Sequence, residues 1–176
     1  MSTLDNYHRW LDSSRVDEAT KDILKKMNQE EIDDAFFKDV EFGTAGMRGV
    51  LGPGTNRLNN FTVRKATVAF GKYLLELFPD AKKMGVVISH DNRHMSREFT
   101  LLSANVLNDL GIKTYIFDSL RPTPELSFAV RELGCIAGIV ITASHNPSKY
   151  NGYKVYGSDG CQITTEAANR ILEEIE

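Results

Sequence analysis

Cysteine and proline are scarce in this 176-residue chain, which holds two of the first and five of the second. Two thiols, Cys135 and Cys161, cannot build the multi-bridge framework of a small secreted domain. No apolar run reaches the roughly 18 residues that a membrane-spanning helix needs. The opening stretch, Met1 to Trp10, is polar and lacks the apolar centre of a secretory signal. The expectation is therefore a cytoplasmic protein with two free thiols, away from any membrane. Charge of one sign is also lacking: the net charge of −3 argues against a general nucleic-acid binder. No Gly-x-x-x-x-Gly-Lys-Ser/Thr stretch occurs, so a nucleotide P-loop is excluded. No Gly-x-Ser-x-Gly elbow occurs either, which removes the usual α/β-hydrolase nucleophile turn.

What remains is the composition of a globular protein, 41% hydrophobic and 26% charged, at a length near one domain of about 150 residues. Such a chain can bury a substantial core. The charge is unevenly spread. Residues 1–41 hold 6 Lys and Arg against 11 Asp and Glu, a balance of −5; residues 42–176 hold 15 against 13, a balance of +2. An acidic leader thus precedes a mildly basic body that can accept an anionic small molecule. In the leader, Val16, Ala19, Ile23, Leu24 and Met27 recur at helical spacing, and Ile32, Phe36 and Phe37 indicate a short second helix. This leader, 1–41, is expected to pack on the outside of a domain formed by 42–176.

Five glycines crowd the stretch Glu41 to Gly54, where a backbone can turn tightly and approach a ligand. A helix is predicted from about Thr62 to Phe78, capped by Asn60 or Thr62. Strands at Gly85–Ser89, Thr114–Phe117 and Ile136–Thr142 then alternate with helices that start near Ser96 and at Thr123-Pro124. Gly152–Tyr156 reads as a further strand, and a last helix begins near Thr164. The sequence stops inside that helix, at Glu176, so a longer parent protein is expected. Alternating strands and helices imply an α/β layer fold.

The polar loop Thr142-Ala-Ser-His-Asn-Pro-Ser-Lys-Tyr-Asn-Gly-Tyr-Lys154 follows the most apolar strand, and ligand sites in open α/β sheets lie beyond the carboxyl ends of strands. Ser144 therefore has a chemical reading beside the bland one of a turn serine before Asn-Pro. As a hydrolase nucleophile it needs a base. In extended chain its neighbour His145 points to the opposite face, which leaves His8, His90 or His94. As a phosphoryl carrier it needs cations and a proton partner, and the loop supplies such types in Lys154, His145 and Asn146, with Arg48 for a bidentate phosphate contact.

Thr142-Ala-Ser-His-Asn-Pro147 with Tyr150-Asn-Gly-Tyr-Lys154 resembles the active-site serine loop of the α-D-phosphohexomutases. Phe42-Gly-Thr-Ala-Gly-Met-Arg-Gly49 resembles that family's opening motif, and Ser89-His-Asp-Asn-Arg93 and Arg121-Pro-Thr-Pro124 fall where members carry similar stretches. The likeness is strongest to the longer bacterial phosphoglucomutase branch, which also resembles phosphopentomutases and glucose-1,6-bisphosphate synthases. The resemblance implies the first of four domains: a three-layer α/β/α unit with a small mixed, mostly parallel sheet. It implies that Ser144 carries phosphate between C1 and C6 of a hexose, glucose first and mannose second. It further implies Lys154 as base or acid near the sugar hydroxyl, with Arg48 and His145 orienting the phosphoryl group and Arg48, Asn146 and Lys154 binding phosphate. Magnesium would be held by aspartates of a second domain and by a phosphate oxygen on Ser144, and glucose 1,6-bisphosphate would act as activator. No Asp-Gly-Asp-x-Asp-Arg loop is present, so this chain alone is expected to be inactive and to work with domains II–IV.

Each of these residues also has a bland reading. Arg48 can pair with Glu41 or a leader acid. Lys154 can be a solvated strand lysine, and His145 can merely bond backbone. Asp91 and Arg93 are read as a structural ion pair. His90 and His94 make a weak metal pair without a third ligand. Tyr150, Tyr153 and Tyr156 are read as packing.

Overall fold

The computed structural model describes residues 2–44 and 46–175. Met1, Ala45 of the glycine-rich motif and Glu176 at the end of the expected last helix lie outside the described residues. The leader forms three capped helices. Ser2 starts α1 (Thr3–Asp12) with a reciprocal capping box: its hydroxyl accepts the Asp5 N–H while the Asp5 carboxylate accepts the Ser2 N–H. Asp17 caps α2 (Glu18–Lys25), and Asn28 caps α3 (Gln29–Phe36). They close on one apolar cluster of Tyr7, Trp10, Val16, Leu24, Ile32, Ala35 and Phe36. Two helices are expected here and three occur. The additional one, α1, buries only Tyr7 and Trp10, too few apolar positions to show a period. Val16 packs ahead of α2 rather than within it, and Ala19 and Ile23 face solvent.

Trp10 meets Phe61 edge to face at 4.9 Å between ring centroids, and the Asn56 N–H donates to the Ala35 carbonyl at 2.9 Å. Arg57 pairs with Asp34 at 2.5 Å. The leader is therefore fastened to the loop that follows the glycine-rich stretch.

That stretch contributes β1 (Phe42–Gly43) and β2 (Gly46–Val50), and α4 (Asn60–Leu77) and α5 (Ala81–Met84) follow. Then come β3 (Val86–His90), α6 (Ser96–Asp109), β4 (Thr114–Ile116), α7 (Thr123–Glu132), β5 (Ala137–Ile141), β6 (Tyr150–Gly157) and α8 (Thr165–Ile175). One six-stranded sheet runs β1-β2-β6-β5-β3-β4. Alternate strand residues feed two cores. Val86, Ile88, Ile139, Ile141, Tyr153 and Val155 pack with α4, α6 and α8, while Val87, Val140 and Tyr156 pack with Leu126, Ala129 and Val130 of α7. The result is the α/β/α three-layer arrangement with a mixed sheet.

The balance within the sheet corrects the expectation of mostly parallel pairing. Only β5–β3 and β3–β4 are parallel, whereas β1–β2, β2–β6 and β6–β5 are antiparallel. The short loop after β5 leaves no room for a crossover helix, so β6 must return antiparallel. Every residue of β3 and of β5 is buried, as their unbroken apolar runs require.

Two caps also differ from expectation. Asn59, not Asn60 or Thr62, caps α4 by accepting the N–H groups of Phe61 and Thr62. Ser96 is the first residue of α6 rather than its cap, which is Met95 in the left-handed region at φ 65°. Cys135 is buried and Cys161 exposed, and both are free thiols. Among the described residues no helix is long and apolar enough to cross a membrane.

Candidate active site

The carboxyl end of β5 delivers Thr142, Ala143 and Ser144 into the loop that returns as β6. The antiparallel register sets Lys154 opposite Val140, and Arg48 of β2 opposite Gly152. Paired residues share a face, so Arg48 and Lys154 project from the face that Val140 shares with α7. Burial pushes the Lys154 amine below the ordinary lysine range, and the Arg48 cation pushes it the same way to a lesser extent. Strand approach here demands glycine. A Cβ on Gly152 would run into the Thr142 carbonyl and lie 2.9 Å from the Met47 carbonyl oxygen. A Cβ on Gly46, at φ +77°, would strike the Tyr153 carbonyl.

Ser144 occupies the left-handed region at φ 58°, uncommon for a residue with a side chain. Its N–H donates to Thr142 Oγ1 at 3.0 Å, and Thr142 Oγ1 donates to Asp91 Oδ2 at 2.6 Å. Arg48 Nη1 donates to Asn146 Oδ1 at 2.7 Å, tying β2 to the serine loop. Arg48 does not pair with Glu41, whose carboxylate takes Lys38 at 2.6 Å. Because Ser144 is left-handed rather than extended, the expected divergence of its side chain from that of His145 does not occur. Ser144 Oγ lies 3.4 Å from His145 Nδ1. Among the described residues no hydrogen bond or ion pair joins Lys154 to Ser144.

Ser144 lines a cleft of 620 Å³ together with Asp91, Arg93, Arg121, Thr142 and Ser148, while Arg48, His145, Asn146 and Lys154 do not line it. The ion pair expected between Arg93 and Asp91 is present at 3.3 Å. Arg93 also reaches the serine loop, beyond that expectation; its signals in the sequence are its place after a strand end and its membership of the Ser89-His-Asp-Asn-Arg93 stretch. His90 Nδ1 lies 2.7 Å from the Asp91 carbonyl oxygen. Tyr153 and Tyr156 are buried in the two cores, which makes them packing residues.

The donor set offers little to a divalent metal. Asp91, the carboxylate at Ser144's cleft, already serves Arg93, Ser96 and Thr142. Among the described residues no group of three or more His, Cys, Asp or Glu converges. These residues do not by themselves fit a magnesium ion, which prefers several oxygen ligands in octahedral array.

A family model described as phosphoglucomutase/phosphomannomutase, alpha/beta/alpha domain I, matches residues 39–176. The phosphoglucomutase of Staphylococcus epidermidis is 45% identical over 170 residues, covering 96% of this chain and 30% of the relative. The phosphoglucomutase of Staphylococcus aureus is 43% identical over 178 residues, covering 99% and 31%. This chain thus spans about 30% of the length of the curated relatives it matches. A crystal structure from Thermus thermophilus assigned as a phosphomannomutase superposes with a TM-score of 0.70 at 34% identity, over 78% of this chain and 30% of that one.

Proposed function

Because the chain belongs to the phosphoglucomutase/phosphomannomutase family, we propose that it is the catalytic-serine domain of a phosphosugar mutase. The enzyme interconverts hexose 1-phosphate and hexose 6-phosphate, with glucose the first choice of sugar and mannose the second. The observation that carries this reading is Ser144, held left-handed at the rim of β5 in a loop that Arg48 ties to the glycine-rich hairpin.

In the forward direction the P–Oγ bond of phosphorylated Ser144 breaks as a P–O6 bond forms on a hexose 1-phosphate. The O6 proton leaves to a base and a proton is delivered to the departing Oγ, so Ser144 regains a hydroxyl. The 1,6-bisphosphate then turns end for end. Its P–O1 bond breaks as a new P–Oγ bond forms, Oγ gives up its proton while O1 takes one up, and hexose 6-phosphate departs with phosphoserine restored. Lys154 is assigned the sugar-hydroxyl proton: burial and the Arg48 cation lower its value, so its amine gives up a proton more readily than an exposed lysine does. Arg48, His145 and Asn146 orient the phosphoryl group. Magnesium would shield the transferring charge. This chain would contribute to it only a phosphate oxygen on Ser144, the carboxylates coming from beyond residue 176, in domains II–IV. Turnover by this chain alone should be negligible, the full enzyme should be cytoplasmic, and glucose 1,6-bisphosphate should prime it by phosphorylating Ser144.

The test is to incubate the full-length enzyme with glucose 1,6-bisphosphate and map phosphate by mass spectrometry. Phosphate on Ser144 supports the reading. No phosphate points instead to a non-catalytic phosphate-binding module, and labelling of Ser144 by a fluorophosphonate points to a hydrolase. Turnover of a pentose phosphate, or net synthesis of the bisphosphate, would move the enzyme to the phosphopentomutase or glucose-1,6-bisphosphate synthase side of the family.

A further inference from the structure

We propose that Arg93 is the positioning residue that fixes the backbone of Ser144 in its transfer-competent conformation. The inference rests on the reading of Ser144 as phosphoryl carrier. Arg93 comes from the loop after β3, yet its guanidinium is spent on the serine loop. Nη2 donates to the carbonyls of Ser144 at 2.8 Å and Asn146 at 2.6 Å. Nη1 donates to the carbonyls of Pro147 at 2.9 Å and Tyr150 at 3.1 Å. Nε faces Asp91 Oδ2 at 3.3 Å, and only 13% of the side chain is exposed.

The arrangement converges on one residue. The carbonyl of Ser144 ends on Arg93 directly. Its N–H ends on Asp91 through Thr142 Oγ1. Both backbone polar groups of Ser144 are therefore anchored to a single ion pair, which fixes the peptide planes on either side of its Cα. Asp91 is itself held: Oδ1 accepts the Ser96 hydroxyl at 2.7 Å and the Arg93 N–H at 3.0 Å. The left-handed region is disfavoured for an L-residue, so Ser144 needs such an outside hold to stay there. A planar fork with five donors can serve four carbonyls and a carboxylate at once; a lysine ammonium, with three donors on one atom, cannot. Loss of the fork would leave Ser144 free to relax toward extended backbone and swing its hydroxyl away from the reacting phosphoryl group.

The test uses Arg93→Lys and Arg93→Ala in the full-length enzyme. A misplacement near 1 Å at a reacting atom costs about 100-fold. The expected result is a kcat lower by about that factor, with KM within about threefold of wild type. Added guanidinium should restore part of the kcat of Arg93→Ala. Amide exchange across residues 144–150 should quicken in the variants while exchange in β3 and β5 is unchanged. Should either Arg93 variant fail to fold, Asp91→Asn is read in its place, since it weakens the same anchor with a side chain of the same shape. Folded variants with wild-type kcat and unchanged loop exchange overturn the proposal. So does a loss of kcat fully accounted for by the unfolded fraction and unmoved by guanidinium. An active Ser144→Ala enzyme would instead remove the carrier reading itself, whereas an inactive Ser144→Ala beside a fully active Arg93→Lys removes only the positioning role.

Discussion

Arg48 Nη1 and Asn146 Oδ1 meet at 2.7 Å, although 98 positions separate the two residues in the chain. The bond joins the glycine-rich hairpin to the loop that carries Ser144. It also keeps a permanent positive charge on the sheet face from which Lys154 projects. Two stretches that look like separate motifs in the sequence are thus one electrostatic unit in the fold.

That unit sets the titration of Lys154. Burial is the larger cause of its lowered value and Arg48 the smaller, and both disfavour the charged amine. Arg48→Met should therefore raise the Lys154 value while leaving it below the ordinary lysine range. An NMR titration of the Lys154 side chain checks this, and a fall in the value contradicts it. The linkage has a definite sign. Between the folded value and the higher unfolded value the unfolded chain binds more protons, so this site's contribution to stability increases as pH rises through that window.

Glycines 46, 152 and 134 should separate steric demand from conformational preference. Gly134→Ala, at φ +61° with nothing within 4 Å of the added Cβ, should cost about 1 kcal/mol. Gly46→Ala and Gly152→Ala both place a Cβ against backbone carbonyls of a neighbouring strand and should cost about 3 kcal/mol or more. Urea denaturation of the three variants gives the order, and equal midpoints would contradict it.

Thr142→Val keeps the shape of the side chain while removing its hydroxyl. The Ser144 N–H then loses its acceptor and Asp91 loses a donor. A cost of about 1–3 kcal/mol is expected, together with faster amide exchange at Ser144. A variant as stable and as protected as wild type would show that the Thr142 bridge is dispensable.

Trp10 is the chain's only tryptophan, and it reports how the leader docks. Its ring meets Phe61 at the start of α4. Phe61→Ala should expose the indole, red-shift its fluorescence and lower stability by about 1–3 kcal/mol, less than the loss of a fully buried ring because Phe61 is 38% exposed. Unchanged emission would mean that the leader is held elsewhere.

The parts legible in the sequence were those whose signal is local. β3 and β5 declare themselves by unbroken apolar runs, and α7 by Thr123-Pro124 at its start. The serine loop is legible because it is a polar segment between an apolar strand and a tyrosine-rich return. β2 is not, because Gly46 and Gly49 deprive it of the β-branched texture of a strand; the backbone of Tyr153 crowding Gly46 explains the choice of glycine there. α1 escapes notice because its two buried aromatics acquire a partner face only once α2 and α3 have closed on them. The wider role of Arg93 is hidden for the same kind of reason: the carbonyls it gathers lie 51 to 57 residues away. The proximity of Ser144 to His145 depends on one left-handed backbone angle that no residue type at position 144 announces.

The central claim is that the Ser144 hydroxyl carries the phosphoryl group, and it is tested most directly by turnover of glucose 1-phosphate in the full-length enzyme bearing Ser144→Ala. The account predicts a loss of kcat on the order of 10⁴-fold or more, in a protein that melts with wild type. Wild-type turnover after deletion of that one oxygen would contradict it.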